Sequence, residues 1–105
     1  MSRYPAIPKS IGAPGGPIKV RLVARAKADD GAPAWGTWEP ATRTICIERG
    51  APIAHKWRVF WHEVTHAILD DNGIAELLTE QGAEAICQAM RSGMMSMGAF
   101  PPKER

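Results

Sequence analysis

The feature that most constrains the fold is an apolar stripe in the middle of the chain. Large apolar side chains recur there at intervals of three or four: Ile53, Trp57, Trp61, Val64 and Ile68. This spacing places them on one face of an α-helix. Pro52 suits the first turn of a helix, and the run Asp71-Asn72-Gly73 is typical of a helix end. We therefore expect a helix from about residue 52 to about residue 70 with one buried face.

Three segments ahead of this helix have the pattern of strands. Ile18, Val20, Leu22 and Ala24 alternate with a second set of positions, which is the period of a strand with one buried face. Residues 35–39 and 44–48 are two further short strands separated by a turn. The expected arrangement is a small antiparallel sheet of about three strands.

A second helix is expected after the first. Thr79 can serve as its N-cap, and Glu80 in the first turn suits the helix dipole. Its apolar positions continue to about Met97. The fold class is therefore α+β, with the small antiparallel sheet packed against two helices.

One domain accounts for most of the chain. Residues 1–17 are rich in proline and glycine and are expected to form an extended arm, residues 18–97 the domain, and residues 98–105 a flexible tail. The cysteines, Cys46 and Cys87, lack the spacing of a metal or redox motif, and two thiols are favoured over a disulfide. With no apolar segment typical of a signal peptide, we expect a cytoplasmic protein.

The chemistry is expected in the run His62-Glu63-Val64-Thr65-His66, which lies within the first helix. Four residues rotate about 400° around a helix, so the two imidazoles share a face and can bind one zinc ion. Glu63, about 100° round from His62, can flank the ion and act as general base. The HExxH pattern thus delivers two metal ligands and a base from one rigid element.

A catalytic zinc usually has three protein ligands, and the third is expected to be a carboxylate. His55 lies about 10.5 Å from His62 along the helix, too far to share the ion. Glu84 and Glu80 are four residues apart on the second helix, so either can face the metal. We favour Glu84, because small neighbours flank it and Glu80 is already suited to the helix terminus.

These residues resemble a known group of enzymes. The run His62–Ala67, with Asp70 after it and Glu84 on a following helix, resembles the gluzincins, in which a glutamate on the next helix is the third zinc ligand. The short sheet and small size look closer to minimal zinc peptidases of phages and prophages, and to the core of the ImmA/IrrE-like metallopeptidases. In thermolysin-like members an aspartate follows the ligand glutamate by four residues, whereas Gln88 stands here.

The expected function is zinc-dependent hydrolysis of peptide bonds, by a metal-activated water with Glu63 as general base. The partner would be a protein or peptide substrate. A net charge of only +2 with scattered basic residues argues against nucleic acid or a membrane surface as partner. The alternative is a non-catalytic, zinc-stabilised protein-binding module or phage regulatory protein. A bound metal ion would stabilise a chain of only 105 residues, whose core is small.

Overall fold

The computed structural model describes residues 4–27 and 33–100, without the side chains of Lys27, Pro33 and Ala34. Residues 28–32, and residues 101–105 of the expected tail, lie outside the described part. Within it the α+β class is confirmed: a four-stranded sheet packs against two helices.

The sheet is built from four strands in the order β1-β2-β6-β5. They are β1 (Ser10–Ile11), β2 (Ile18–Val23), β5 (Gly36–Glu39) and β6 (Thr44–Glu48). A separate two-stranded sheet pairs β3 (Ala26–Lys27) with β4 (Pro33–Ala34). The strands β5 and β6 form an antiparallel hairpin, so β5 is an edge strand of the larger sheet.

The sheet differs from the expected antiparallel meander in one pairing. Strands β2 and β6 run parallel, with Val20 opposite Ile45 and Leu22 opposite Ile47. The alternation of apolar side chains identifies a strand and its buried face, but it carries no information about the direction of the neighbouring strand. The additional strand β1 comes from the proline-rich segment expected to be an arm, and it pairs antiparallel with β2.

Both helices follow the sheet, and their ends have local causes. Helix α1 (Ile53–Asp71) begins directly after Pro52. A short 3₁₀ turn (Ala75–Leu77) leads to α2 (Glu80–Met97). The Thr79 hydroxyl accepts a hydrogen bond from the backbone N–H of Gly82 and so caps α2. Gly98 ends α2 in the left-handed conformation, with φ 65°, which glycine adopts without steric cost.

The core lies between the sheet and α1. Its sheet side consists of Ile18, Val20, Ile45 and Ile47. Its helix side consists of Trp57, Val59, Phe60, Val64 and Ala67. The buried face of α1 is therefore rotated from the expected stripe, because Phe60 and Ala67 occupy it while Ile68 is 41% exposed. Residues 60 and 61 are both aromatic, so spacing alone did not distinguish the two faces.

Indole hydrogen bonds attach the first and the last described segments of the chain to α1. Trp57 Nε1 donates to the carbonyl of Pro5 at 2.7 Å, and Trp61 Nε1 donates to the carbonyl of Ala99 at 3.0 Å. Phe100 stacks edge-on against Trp57 with ring centroids 4.8 Å apart. The two outer segments therefore add to the core.

Candidate metal centre

Helix α1 presents the side chains of His62, Glu63 and His66 beside Glu84 of α2. His62 and His66 are one turn apart, and their rings lie edge-on with centroids 5.1 Å apart. Burial lowers the pKa of His62, although the carboxylate of Glu84 acts in the opposite direction. A lowered pKa favours the neutral imidazole, which is the form that binds a metal ion.

Glu84 on α2 lies between the two histidines. Its Oε1 is 3.0 Å from His66 Nε2, and its Oε2 is 3.2 Å from His62 Nε2. The structure therefore brings together the three residues expected to hold zinc. Among the described residues Glu80, the alternative ligand, forms no hydrogen bond or ion pair with either histidine, and it lines a neighbouring surface cleft together with Glu84 and Gln88.

The spacing of these donor atoms can be compared with a zinc site. In a tetrahedral site with bonds of about 2.0–2.1 Å, neighbouring ligand atoms are roughly 3.3 Å apart. The nitrogen–oxygen distances of 3.0 and 3.2 Å are close to this value, although they end on the two different oxygens of Glu84. Two imidazoles and one carboxylate are also a donor set that catalytic zinc sites use. The residues present therefore fit a zinc ion.

Glu63 is buried beside this group, with only 9% of its surface exposed. Burial raises the pKa of its carboxyl to about 7, because the charged form loses its hydration; His66 opposes this rise and Glu84 adds to it. Gly36 of strand β5 packs against the helix here, and a Cβ atom at this position would lie 3.3 Å from Glu63 Cγ. A glycine is thus what lets the edge strand approach Glu63 so closely.

Cys87 is a further possible ligand, although its spacing from Cys46 is not that of a metal motif. The ligand atoms of His62, His66 and Cys87 lie within 4.8 Å of one another. Cys87 is three residues after Glu84, so helical spacing alone could have placed it on the same face. Burial, with the charges of Glu84 and Glu63, raises the pKa of its thiol to about 12. We favour Glu84 as the third ligand, because its two oxygens lie within hydrogen-bond distance of the two histidine nitrogens, at 3.0 and 3.2 Å.

A groove of about 410 Å³ opens over the site between β5 and the helices. One wall is the edge strand, with Gly36, Thr37 and Trp38. Trp38 is held by Asp70, whose Oδ2 accepts a hydrogen bond from the indole Nε1 at 2.6 Å. Asp70 therefore positions the groove wall.

Comparison of the chain with protein-family models, with curated proteins and with solved structures found no match. No helix in residues 4–27 and 33–100 has the length and apolar character needed to cross a membrane. The case for function therefore depends on the geometry of the site.

Proposed function

We propose that this protein is a zinc-dependent metallopeptidase in which His62, His66 and Glu84 hold the metal and Glu63 is the general base. The observation that carries the proposal is the convergence of two imidazole nitrogens on the two oxygens of one carboxylate, at 3.2 and 3.0 Å, directly beside a buried second carboxyl. An amphipathic helix with unrelated surface histidines has no reason to assemble this group with a residue 18 positions away.

When bound, zinc would act as a Lewis acid that polarises the scissile carbonyl and lowers the pKa of water. Glu63 would accept a proton from the attacking water and deliver it to the leaving amine. Its burial removes competing water, which favours proton transfer over simple solvation of the carboxylate.

The edge strand beside the site supports a peptide as substrate. Strand β5 is hydrogen-bonded to β6 on one side, and within the described residues no strand of this sheet lies on its other side. An extended peptide can add to such an edge through main-chain hydrogen bonds, which would place its backbone over the groove. The free thiols of Cys46 and Cys87 support a reducing, cytoplasmic setting.

The test compares peptide cleavage by the zinc-loaded wild type with cleavage by zinc-loaded Glu63→Gln. The substrates are a library of peptides derived from unfolded proteins, and mass spectrometry identifies the products. We expect the variant to keep its zinc and to cleave at least about 100-fold more slowly, the usual contribution of a general base. Glu80→Gln is the matched control, and it should cleave at the wild-type rate. Undiminished cleavage by Glu63→Gln with zinc bound would remove Glu63 from the mechanism.

A second candidate is a zinc-stabilised binding module without catalysis. The observation that favours it is the position of Cys87, which could provide a fourth protein ligand and close the site to water. Cobalt substitution separates the two candidates, because a thiolate ligand produces a charge-transfer band in the near ultraviolet. The peptidase proposal expects no such band and full zinc binding in Cys87→Ser. A thiolate band that disappears in this variant would favour the binding module.

A further inference from the structure

A second cavity of about 190 Å³ adjoins the groove at Gly36, His62 and Glu63. Its remaining lining comes from the loop before β5 and from the two helices: Trp35, His55, Arg58, Val59 and Arg91. Sites that enclose a whole small molecule usually measure roughly 300–1,000 Å³. The size of this cavity suits one side chain or one chain end.

Helix geometry explains why two arginines meet here. Arg58 is four residues before His62, so it lies one turn along the same face of α1. Arg91 is seven residues after Glu84, two turns along the same face of α2. The helices run in opposite directions, and the two guanidinium groups therefore reach the same end of the metal site.

Neither arginine has an acidic partner within residues 4–27 and 33–100. Arg43, by contrast, is paired with Asp71 at 2.7 Å. Among the described residues Arg58 and Arg91 form no ion pair and no hydrogen bond, and Arg58 is exposed while Arg91 is half-buried. Two guanidinium-bearing residues thus line the cavity, against one acidic residue, Glu63, at its border with the groove.

The other two side chains of the cavity are also open to a ligand. Trp35 is 53% exposed although it is a large apolar residue. Its ring lies edge-on to His55 with centroids 4.8 Å apart. The Nε2 atom of His55 is buried and has no hydrogen-bond partner in the described part of the chain. An unpaired buried nitrogen is costly, and a polar ligand atom in the cavity would offset that cost.

We propose that this cavity is a specificity subsite that binds a carboxylate of the peptide substrate through Arg58 and Arg91. The proposal rests on the peptidase function, because it takes the peptide over the groove as the source of that carboxylate. Guanidinium groups pair with carboxylates through short, charge-assisted hydrogen bonds, which gives both affinity and orientation. The carboxylate belongs either to an acidic side chain near the scissile bond or to the C-terminus of the peptide.

The first experiment measures binding and does not need catalysis. Blocked single residues are added to the zinc-loaded protein while the Nε–H signals of Arg58 and Arg91 are followed by NMR. N-acetyl-glutamate N-methylamide carries only a side-chain carboxylate, N-acetyl-alanine carries only a terminal one, and N-acetyl-glutamine N-methylamide is the uncharged match. We expect one of the two acids to shift both arginine signals, and the amide to leave them unchanged.

The double variant Arg58→Gln/Arg91→Gln separates the cavity from the metal, since a carboxylate that binds zinc alone would still bind. We expect its affinity for the effective acid to fall about ten- to hundred-fold, the range for hydrogen bonds to charged groups. Arg25→Gln removes the same charge from an exposed position outside the cavity and should bind like wild type. Equal binding of acid and amide, or acid binding that survives in the double variant, would overturn the proposal.

The second experiment measures peptide cleavage. Peptides that are identical except for Glu against Gln, or a free against an amidated C-terminus, should differ in kcat/KM by about ten- to hundred-fold, and only while both arginines are present. Cleavage without such a preference would overturn the subsite and leave the peptidase function standing. Arginine-dependent binding without any cleavage would uphold the carboxylate site and overturn the peptidase.

Discussion

Gly36→Ala tests whether the edge strand packs against the active helix as closely as the structure indicates. An added Cβ would overlap Val59 Cγ1, and would lie 3.2 Å from the Cys46 carbonyl and 3.3 Å from Glu63 Cγ. The backbone at Gly36 does not require a positive φ. The steric contact is therefore the main cost of the substitution.

The expected loss of stability follows from this contact. Inserting a methyl group into a packed core costs about 1–3 kcal/mol. For 105 residues the entropy of unfolding is about 0.2 kcal/mol/K, so the melting temperature should fall by about 5–14 °C. The assay is thermal unfolding followed by circular dichroism. Gly50→Ala is the matched control, because its Cβ would meet no atom within 4 Å, and its melting temperature should change by less than about 3 °C.

A double variant tests the cause directly. Val59→Ala removes the methyl groups that the new Cβ would overlap, so Gly36→Ala should cost much less in that background. We expect a coupling free energy of about 1 kcal/mol or more between residues 36 and 59. An unchanged melting temperature in Gly36→Ala, or additive losses in the double variant, would refute the reasoning about this contact.

Three further predictions concern the stability of the scaffold. Gly93→Ala should raise the melting temperature by about 2–4 °C, because the position is exposed within α2 and a Cβ there meets nothing; a lower value by calorimetry would contradict this. The hydrogen bond from Arg43 lowers the pKa of Asp71 to about 2, below its unfolded value near 4. The resulting stability is present above about pH 4 and is lost as the pH falls toward 2. Urea unfolding of wild type should therefore show a loss in this window that Asp71→Asn lacks, and parallel curves would contradict the pairing. Trp57→Phe should lower the free energy of unfolding by about 1–3 kcal/mol, because the Pro5 carbonyl loses its donor, and unchanged urea unfolding would argue against that tether.

The elements of the fold that depend on local chemistry were predictable from the sequence. The spacing of His62 and His66 on a helix, the cap at Thr79 and the helix end near Gly98 all follow from rules that act within a few residues. The pairing of β2 with β6, and the strand at Ser10–Ile11, depend on contacts between distant segments, about which alternation says nothing.

The features of the candidate site were likewise predictable from the sequence only in part. Glu84 could be favoured over Glu80 because small residues flank it and because Glu80 is suited to the helix terminus. The cavity between Arg58 and Arg91 could not be predicted, because it requires the direction and the register of one helix against the other. Trp35 and Trp38 are three residues apart, so they have opposite parity on an extended segment and at least one could face solvent or a groove; Trp35 is 53% exposed at this cavity.

The measurement that tests the central claim most directly is zinc content by mass spectrometry on untagged protein, compared among wild type, Glu84→Ala and Glu80→Ala. The account predicts about one zinc per chain in wild type and in Glu80→Ala, with loss or at least about tenfold weaker binding in Glu84→Ala. No stoichiometric zinc in wild type after loading and removal of excess metal would contradict the claim, and so would equal zinc binding in all three proteins.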